Sequence, residues 1–451
     1  MTRLIFPLSR IEGHARVAIE VQEGEVLSAQ FQATELRGFE YLVQDAPADQ
    51  MPVVTPRICG VCSTAHHVAS VKALEDAYEI TPPPLALKIR ELLMLGQLLQ
   101  NQATSLFIFT MPDRLGISSI FQLASDAATT DKSEQHLTEV ATRALQVRQA
   151  GTHLISTAGG QFIHPVKAVV GGVTSGITSQ QADEMRAELE AALPIACELF
   201  DYYWEISITM GERLGTWGDD APACYLSAIA GRQPDFSCGP RATWPRDGNQ
   251  LYVLSSGGDA CSMFPARDFR KHLTYEATEY SYAGHTSFEG EAIRANSLAR
   301  INVLHKMGTP CADRYLKRFT AAFGQPAHAI MLFDLARGIE LVYAIERAIE
   351  ILSEPLDEGD PAVPHTPQDG EGFGLVEAPR GPLIHHYTIE KGRIAHAEFI
   401  IPTVHNMLAI ERALRVAAKR YIDVERVNME LERAVGRVVR AFDPCIACAT
   451  H

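Results

Sequence analysis

"DPCIACATH", Asp443–His451, poses the question that decides the fold. A Cys-x-x-Cys pair and an imidazole crowd into a stretch at the end of the sequence, where chains ordinarily fray and carry nothing. Its counterpart stands roughly 380 residues upstream, in "RICGVCSTAHH", Arg57–His67. There Cys59 and Cys62 form a second pair at the same spacing. Two intervening residues let one turn aim both sulfurs at one ion, so the two pairs together predict a four-thiolate metal site. Such a site requires residues near 60 and near 445 to meet in space. Around the first pair, Gly60 is expected to let the backbone approach closely, and Arg57 to favour the thiolates. A helix starting after Cys62 would add its N-terminal dipole in the same direction.

The rest of the chain is compatible with a large buried core. Of 451 residues, 46% are hydrophobic and 21% charged, without low-complexity bias or internal repeats, which is the profile of a folded globular protein. Net charge is −15, from 55 acidic and 40 basic residues. With no basic run and no basic face carrying aromatics, nucleic acid is not expected as a partner. No apolar stretch reaches the roughly 20 residues of a membrane span. "MTRLIFPLSR" lacks the apolar core of an export signal, so the expected compartment is the cytoplasm, or the periplasm or a membrane face if an exported partner carries the chain there. The other five cysteines (Cys197, Cys224, Cys238, Cys261, Cys311) are scattered. An odd count with two tight pairs favours metal or redox chemistry over a disulfide framework.

Periodicity predicts an α+β fold, predominantly α. "RVAIEVQEGEVLSAQFQAT" alternates around a Glu-Gly turn and predicts a hairpin within an N-terminal β part over about 1–45. A helical core follows over about 64–355, with helices in "ALKIRELLMLGQLLQNQATSLFIF", "LTEVATRALQVRQAGTHLI", "QQADEMRAELEAALPIACELFDYYWEI", "EAIRANSLARINVLHKM" and "AIMLFDLARGIELVYAIERAIEIL". Residues 214–265, rich in Gly, Pro, Ser and Asp, read as an irregular excursion or a small β-element. "SEPLDEGDPAVPHTPQDGEGFG" reads as a polar loop. A C-terminal part over 375–451 then contributes a hairpin in "LIHHYTIEKGRIAHAEFIIP" and a helix in "NMLAIERALRVAAKRYI". The expectation is one domain over 1–451, with a long-helix core and small antiparallel β-elements from both ends of the chain.

The thiolate count alone leaves the ion open. Four cysteines form the usual structural zinc tetrahedron, but zinc staples usually sit in short modules. Thiolates also suit iron and nickel, and iron–sulfur clusters draw on cysteines grouped more tightly in sequence.

Three further constellations bear on the choice: "RIEGH" (Arg10–His14), "LRGFE" (Leu36–Glu40), and "EAPRGPLIHHYTIEKGRI" leading into "IIPTVHN" (Ile400–Asn406). Together with the two cysteine motifs, and with "GGQFIHPVKAVVGG" (Gly159–Gly172) between them, the chain resembles the large subunit of nickel–iron hydrogenases from residue 10 to residue 451. The resemblance implies reversible heterolytic cleavage of H2 at a nickel–iron centre. Cys59 and Cys445 would be terminal nickel ligands, and Cys62 and Cys448 would bridge nickel to iron, which carries cyanide and carbon monoxide. Arg380 would face one cyanide, with Pro402 and Thr403 at the other. His66 would hydrogen-bond a bridging sulfur, Asp443 would orient Arg380, and Asp113 is a further member of that network. Glu12 would move protons between a cysteine sulfur and solvent. Glu40 and His451 would hold magnesium or another divalent ion near the C-terminus.

This chain has no cysteine pattern for an iron–sulfur cluster, so electrons would leave through a small subunit carrying such clusters, with further electron-transfer subunits possible. Family members are commonly cut after this histidine, which implies a maturation protease if an extension is made. Some positions depart from the commoner pattern, including "FPLS" before Arg10 and Val404–His405 after Thr403. A hydrogen-sensing regulatory relative is the alternative function. His14, His164, His385 and His386 read as structural.

Overall fold

The cysteine-bearing loops are positioned by helices packed against three larger sheets and one two-stranded ladder, in a computed structural model that describes residues 1–121, 132–214, 223–229, 250–304, 306–422 and 429–450. Strands β1 (Thr2–Pro7), β2 (Ala15–Gln22) and β3 (Glu25–Ala33) form an antiparallel meander. Its β2–β3 turn falls at Glu23–Gly24, both at positive φ. On β2, Arg16 is exposed between buried Ala15 and Val17, whereas Ala18 is buried together with Val17 and Ile19, so the middle of the strand is covered on both faces.

The long helices of the core are α1 (Ser63–Ala77), α2 (Pro84–Ala103), α3 (Lys132–Gly159), α4 (Ser179–Leu214), α5 (Pro310–Phe323) and α6 (Leu332–Leu352). Proline opens α2 and α5, at first-turn positions whose N–H would have no partner anyway. Helix α2 does not end in a cap. It continues as a π-helix over Thr104–Thr110 and then a short helix over Met111–Leu115. Wider winding leaves carbonyls without their usual partners, and Phe109 O takes a hydrogen bond from Arg10 Nη1 at 2.5 Å. Between α3 and α4, the residue pairs Ala168–Val169 (β4) and Gly172–Val173 (β5) make a short antiparallel ladder.

In the middle of the chain the β-element reading of 214–265 holds for its described residues, and the strands run on into 273–294, which departs from the helical expectation. Residues 214–265 contribute strands β6 (Cys224–Ile229), β7 (Gln250–Leu254) and β8 (Ala260–Pro265), whereas 215–222 and 230–249 lie outside the described residues. They join β9 (Leu273–Glu276), β10 (His285–Phe288) and β11 (Glu291–Arg294) in a six-stranded sheet ordered β8-β7-β6-β11-β10-β9. The β11–β6 pair is parallel, so this third sheet is mixed and comes from the centre of the chain. "EAIRANSLARINVLHKM" is accordingly not one helix. Its start is β11, and a helix covers only Ser297–Val303. The break falls at Asn296, at φ 87, whose side chain caps Ser297. Arg294 is buried in the strand, where it donates to His328 O.

The C-terminal sheet contains β12 (Gly370–Ala378), β13 (Gly381–Glu390) and β14 (Arg393–Ile400). The β13–β14 hairpin matches its sequence pattern. Strand β12 instead starts inside the stretch read as a polar loop, because its glycines serve packing. A Cβ on Gly372 would lie 2.0 Å from Ala73 O, and one on Gly374 would lie 2.0 Å from Ala69 O. Glycine on the strand and alanine on α1 let the two backbones touch. Helix α7 (Pro402–Tyr421) follows, and α8 (Met429–Phe442) is an additional amphipathic helix, burying Leu431, Ala434, Val435, Val438, Val439 and Phe442. The fold is α+β and mostly α, with its β part divided among separate sheets.

Replacing Gly374 by Ala is expected to lower unfolding stability by about 1–3 kcal/mol through forced separation of α1 and β12. A thermal melt of the purified protein measures this, and an unchanged midpoint would mean that the interface has slack.

Candidate metal centre

Both cysteine pairs occupy turns that feed helix starts. A 3-10 turn over Thr55–Ile58 delivers Cys59, and Cys62 stands at the N-terminus of α1. Cys445 precedes the short helix Ile446–Ala449, which contains Cys448. The N-terminal segment fixes the second pair. Glu12 and Cys445 form a parallel bridge, and Ile446 N–H donates to Glu12 O at 3.1 Å. Gly13 makes this possible: at φ 81, a Cβ there would lie 2.8 Å from Ile446 Cβ.

The four sulfurs converge in the interior, within 4.8 Å of one another. Cys445 Sγ is 3.2 Å from Cys59 Sγ, 3.7 Å from Cys62 Sγ and 2.9 Å from Cys448 Sγ. Four sulfurs at about 2.3 Å from one ion would stand about 3.8 Å apart in a tetrahedron, so this donor set fits a thiophilic metal with only slight opening. None of the four is in a disulfide. Beside them lies a cavity of about 10 Å³ with walls that include Ala65, Ala378, Leu383, Ile401 and Pro402. It is sized for one small group among mainly apolar walls.

The charge beside the sulfurs comes from Arg380. Its Nη1 donates to Cys62 Sγ at 3.1 Å, its Nε to Asp443 O at 2.6 Å and its Nη2 to Asp443 Oδ1 at 3.1 Å. Asn101 holds the other Asp443 oxygen at 3.1 Å. Arg57, expected to supply this charge, instead turns to Val53 O on the exposed side. Gly60 has open space where a Cβ would stand, so close approach does not explain it. Hydrogen bonds with Cys445 and Cys448 hold the Cys62 thiol well below its ordinary range, and Arg380 adds to this. Burial, followed by hydrogen bonding with Cys448, pushes Cys445 well up. One of these sulfurs thus ionises readily while another resists.

Glu12 Oε2 accepts from Cys445 Sγ at 3.0 Å and from Ala447 N–H at 3.0 Å, while the residue remains half-exposed. Thr403 Oγ1 accepts from Cys445 N–H at 3.0 Å, which leaves its own hydroxyl proton free to donate. Pro402 opens α7 beside it. His66 Nε2 is 3.4 Å from Cys448 Sγ, and its Nδ1 is 2.9 Å from His385 Nε2. His385 continues to Tyr387 Oη at 2.7 Å and thence to Ser70 Oγ at 3.0 Å. Sequence reading placed His385 among structural residues. Its alternation partner Tyr387, on the same strand face, was the available signal.

Other expected members lie apart. Asp113 pairs with Arg10 at 2.6 Å and with Arg440 at 2.7 Å rather than with Arg380. It holds the segment carrying Glu12 instead. Glu40 Oε1 accepts from Phe399 N–H at 3.0 Å. His451 lies outside the described residues, but Thr450 O accepts from Arg37 N–H at 2.8 Å, which ties the preceding residue close to Glu40 in sequence. Of the residues departing from the commoner pattern, His405 is fully buried, and burial holds its pKa down at about 4.

Comparison with known proteins gives a consistent picture. The family described as "Nickel-dependent hydrogenase" matches residues 37–142 and 251–451, and a "HoxL-like" family matches residues 4–36. A subunit of the F420-non-reducing hydrogenase vhu of Methanococcus voltae is 32% identical, over 92% of this chain and 97% of that protein. The NAD-reducing hydrogenase HoxS subunit beta of Cupriavidus necator is 28% identical, over 98% and 96%. Among solved structures, an NAD+-reducing [NiFe]-hydrogenase in the H2-reduced state superposes over the full length of both chains, with TM-score 0.89 and 27% identity.

Removing the Arg380 guanidinium leaves the Asp443 carboxylate buried and unpaired. Arg380→Ala is expected to cost about 3–5 kcal/mol of stability, read as a lowered denaturation midpoint in the metal-free protein. A midpoint equal to wild type would mean that water replaces the guanidinium there.

Proposed function

The chain belongs to the nickel-dependent hydrogenase family as a large subunit of the nickel–iron type, an oxidoreductase acting on H2, and we propose that it cleaves H2 reversibly with Glu12 as its proton carrier. One observation carries this reading. Four buried sulfurs from two distant Cys-x-x-Cys pairs converge, with a half-exposed carboxylate on one of them. Cys59 and Cys445 would hold nickel, and Cys62 and Cys448 would serve both nickel and iron. When bound, the metal pair supplies a two-electron acceptor that lets H2 part heterolytically.

The chain's own residues handle the proton and the charge. Glu12 Oε2 takes the proton from Cys445 Sγ across 3.0 Å and releases it on the half-exposed side. Arg380 balances negative charge on Cys62 and faces the apolar cavity, where it would donate to an iron-bound cyanide. The free hydroxyl proton of Thr403 would donate to the second, beside Pro402. His66 steadies Cys448, and His385 fixes the His66 ring. Glu40 and His451 are assigned to a magnesium-class ion. No described helix is long and apolar enough to cross a membrane. A small subunit carrying iron–sulfur clusters is the proposed electron partner; the relatives are named as subunits, which supports an assembly of more than one chain. A cytoplasmic location is part of the proposal.

Metal analysis with infrared spectroscopy tests the assignment. Nickel and iron near one each, with bands of metal-bound cyanide and carbon monoxide, are expected; zinc without those bands would overturn it. Glu12→Gln is expected to keep both metals and those bands while lowering H2-driven dye reduction and H/D exchange by about 100-fold or more. Near-normal exchange in this variant would remove Glu12 from the proton path.

A further inference from the structure

On the face of the C-terminal sheet opposite His385, three residues form a second group of ligand-type side chains. His386 on β13 with His396 and Glu398 on β14 bring one donor atom each within 4.8 Å of one another. His386 is cross-strand neighbour to Glu398, and His396 pairs with Thr388, two residues along from His386. Side chains on one sheet face recur at every second residue, so these three share a face while His385 and Tyr387 point towards the cysteine cavity.

We propose that His386, His396 and Glu398 form a site for a divalent transition cation of the zinc class, separate from the four-cysteine centre. Two imidazoles and a carboxylate suit a borderline ion and leave a coordination position for water. The imidazole of His386 is oriented for this. Its Nε2 is 2.8 Å from Glu371 Oε1, and its ring stacks on Phe373 at 4.2 Å with an interplanar angle of 4°. A carboxylate bound to one ring nitrogen fixes the tautomer and offers the other nitrogen's lone pair to a metal. Here that other nitrogen, Nδ1, stands 3.4 Å from Glu398 Oε2. A cation between Nδ1 and Glu398 Oε2 would take both as ligands while Glu371 keeps the ring in place.

Access is also present. His396, Glu398 and Arg270 line a cavity of about 400 Å³ that reaches Glu40 and Ala449. His396 is exposed and has room to close on an ion, whereas His386 is buried and fixed. The competitor is Arg270, whose Nη2 pairs with Glu398 Oε2. An incoming cation must displace that guanidinium, so the site is weaker than one with a free carboxylate.

Zinc is the probe, added as Zn2+ to the assembled protein with its cysteine centre already nickel-loaded. Calorimetric titration is expected to show one saturable zinc per chain, bound at least tenfold more weakly by His396→Ala and more tightly by Arg270→Gln. Both substitutions are at exposed positions, so unchanged thermal melts in zinc-free buffer are expected alongside. Zinc-edge absorption should show only nitrogen and oxygen ligands. Absence of saturable binding, equal affinity in His396→Ala, or sulfur in the zinc shell would each overturn the proposal.

Discussion

Four sulfurs drawn into a nearly dry cavity impose a charge problem that the surrounding structure is arranged to meet. Two unit charges 3.2 Å apart, the spacing of Cys59 and Cys445, repel by about 5 kcal/mol even at an effective dielectric near 20. Four ionised thiolates are therefore not stable there without cations. Arg380 supplies one positive charge from the protein, and the α1 N-terminus adds partial charge at Cys62. The remainder falls to the metal. Arg380 in turn depends on Asp443, which sits at φ 48 in the left-handed region and is held by Asn101 from α2.

A buried ion-pair framework holds that arginine's backbone in place. Arg300 reaches Glu340 on α6 and Glu377 on β12, and also donates to Ala378 O and Pro379 O, the two residues before Arg380. Arg90 joins Glu75 on α1 to Val169 O and Gly172 O, and Arg114 and Arg337 share Asp334. Desolvation offsets much of the attraction in such pairs, and Glu377 is pushed up to about 7 by burial despite Arg300. Their contribution here is geometric. Arg300 ties β12 to α6, Arg90 ties α2 to α1 and to the β4–β5 ladder, and Arg114 and Arg337 tie the short helix Met111–Leu115 and Ala441 O to α6.

The cysteine pairs and the outer hairpins were legible because their signals are local: fixed spacing in one case, strict alternation in the other. The six-stranded sheet was not. Its strands are short, and its β11–β6 pair is parallel and joins residues far apart in the chain. Strand β12 was hidden because Gly370, Gly372 and Gly374 have turn-like composition, while their purpose is contact with Ala69, Ala73 and Ala77. Arg57 misled for a similar reason. Adjacency in sequence placed its charge near Cys59, but the 3-10 turn directs it outward, and the acting arginine comes from 318 residues away. The His66–His385–Tyr387–Ser70 chain crosses between a helix and a strand, a juxtaposition that no single segment encodes.

The separation of the two cysteine pairs also has a meaning in time. Cys445 follows Cys59 by 386 residues, and at about 5–20 residues per second of synthesis that interval lasts about 20–80 s. Throughout it, Cys59 and Cys62 exist as an unmatched dithiol, because the residues that enclose them have not yet been made. For the length of its own translation the chain thus offers half a chelate, open to oxidation and to whatever thiophilic ion is most abundant. A centre assembled from distant pairs reaches selectivity only once Cys445 and Cys448 have been made and brought to Cys59 and Cys62.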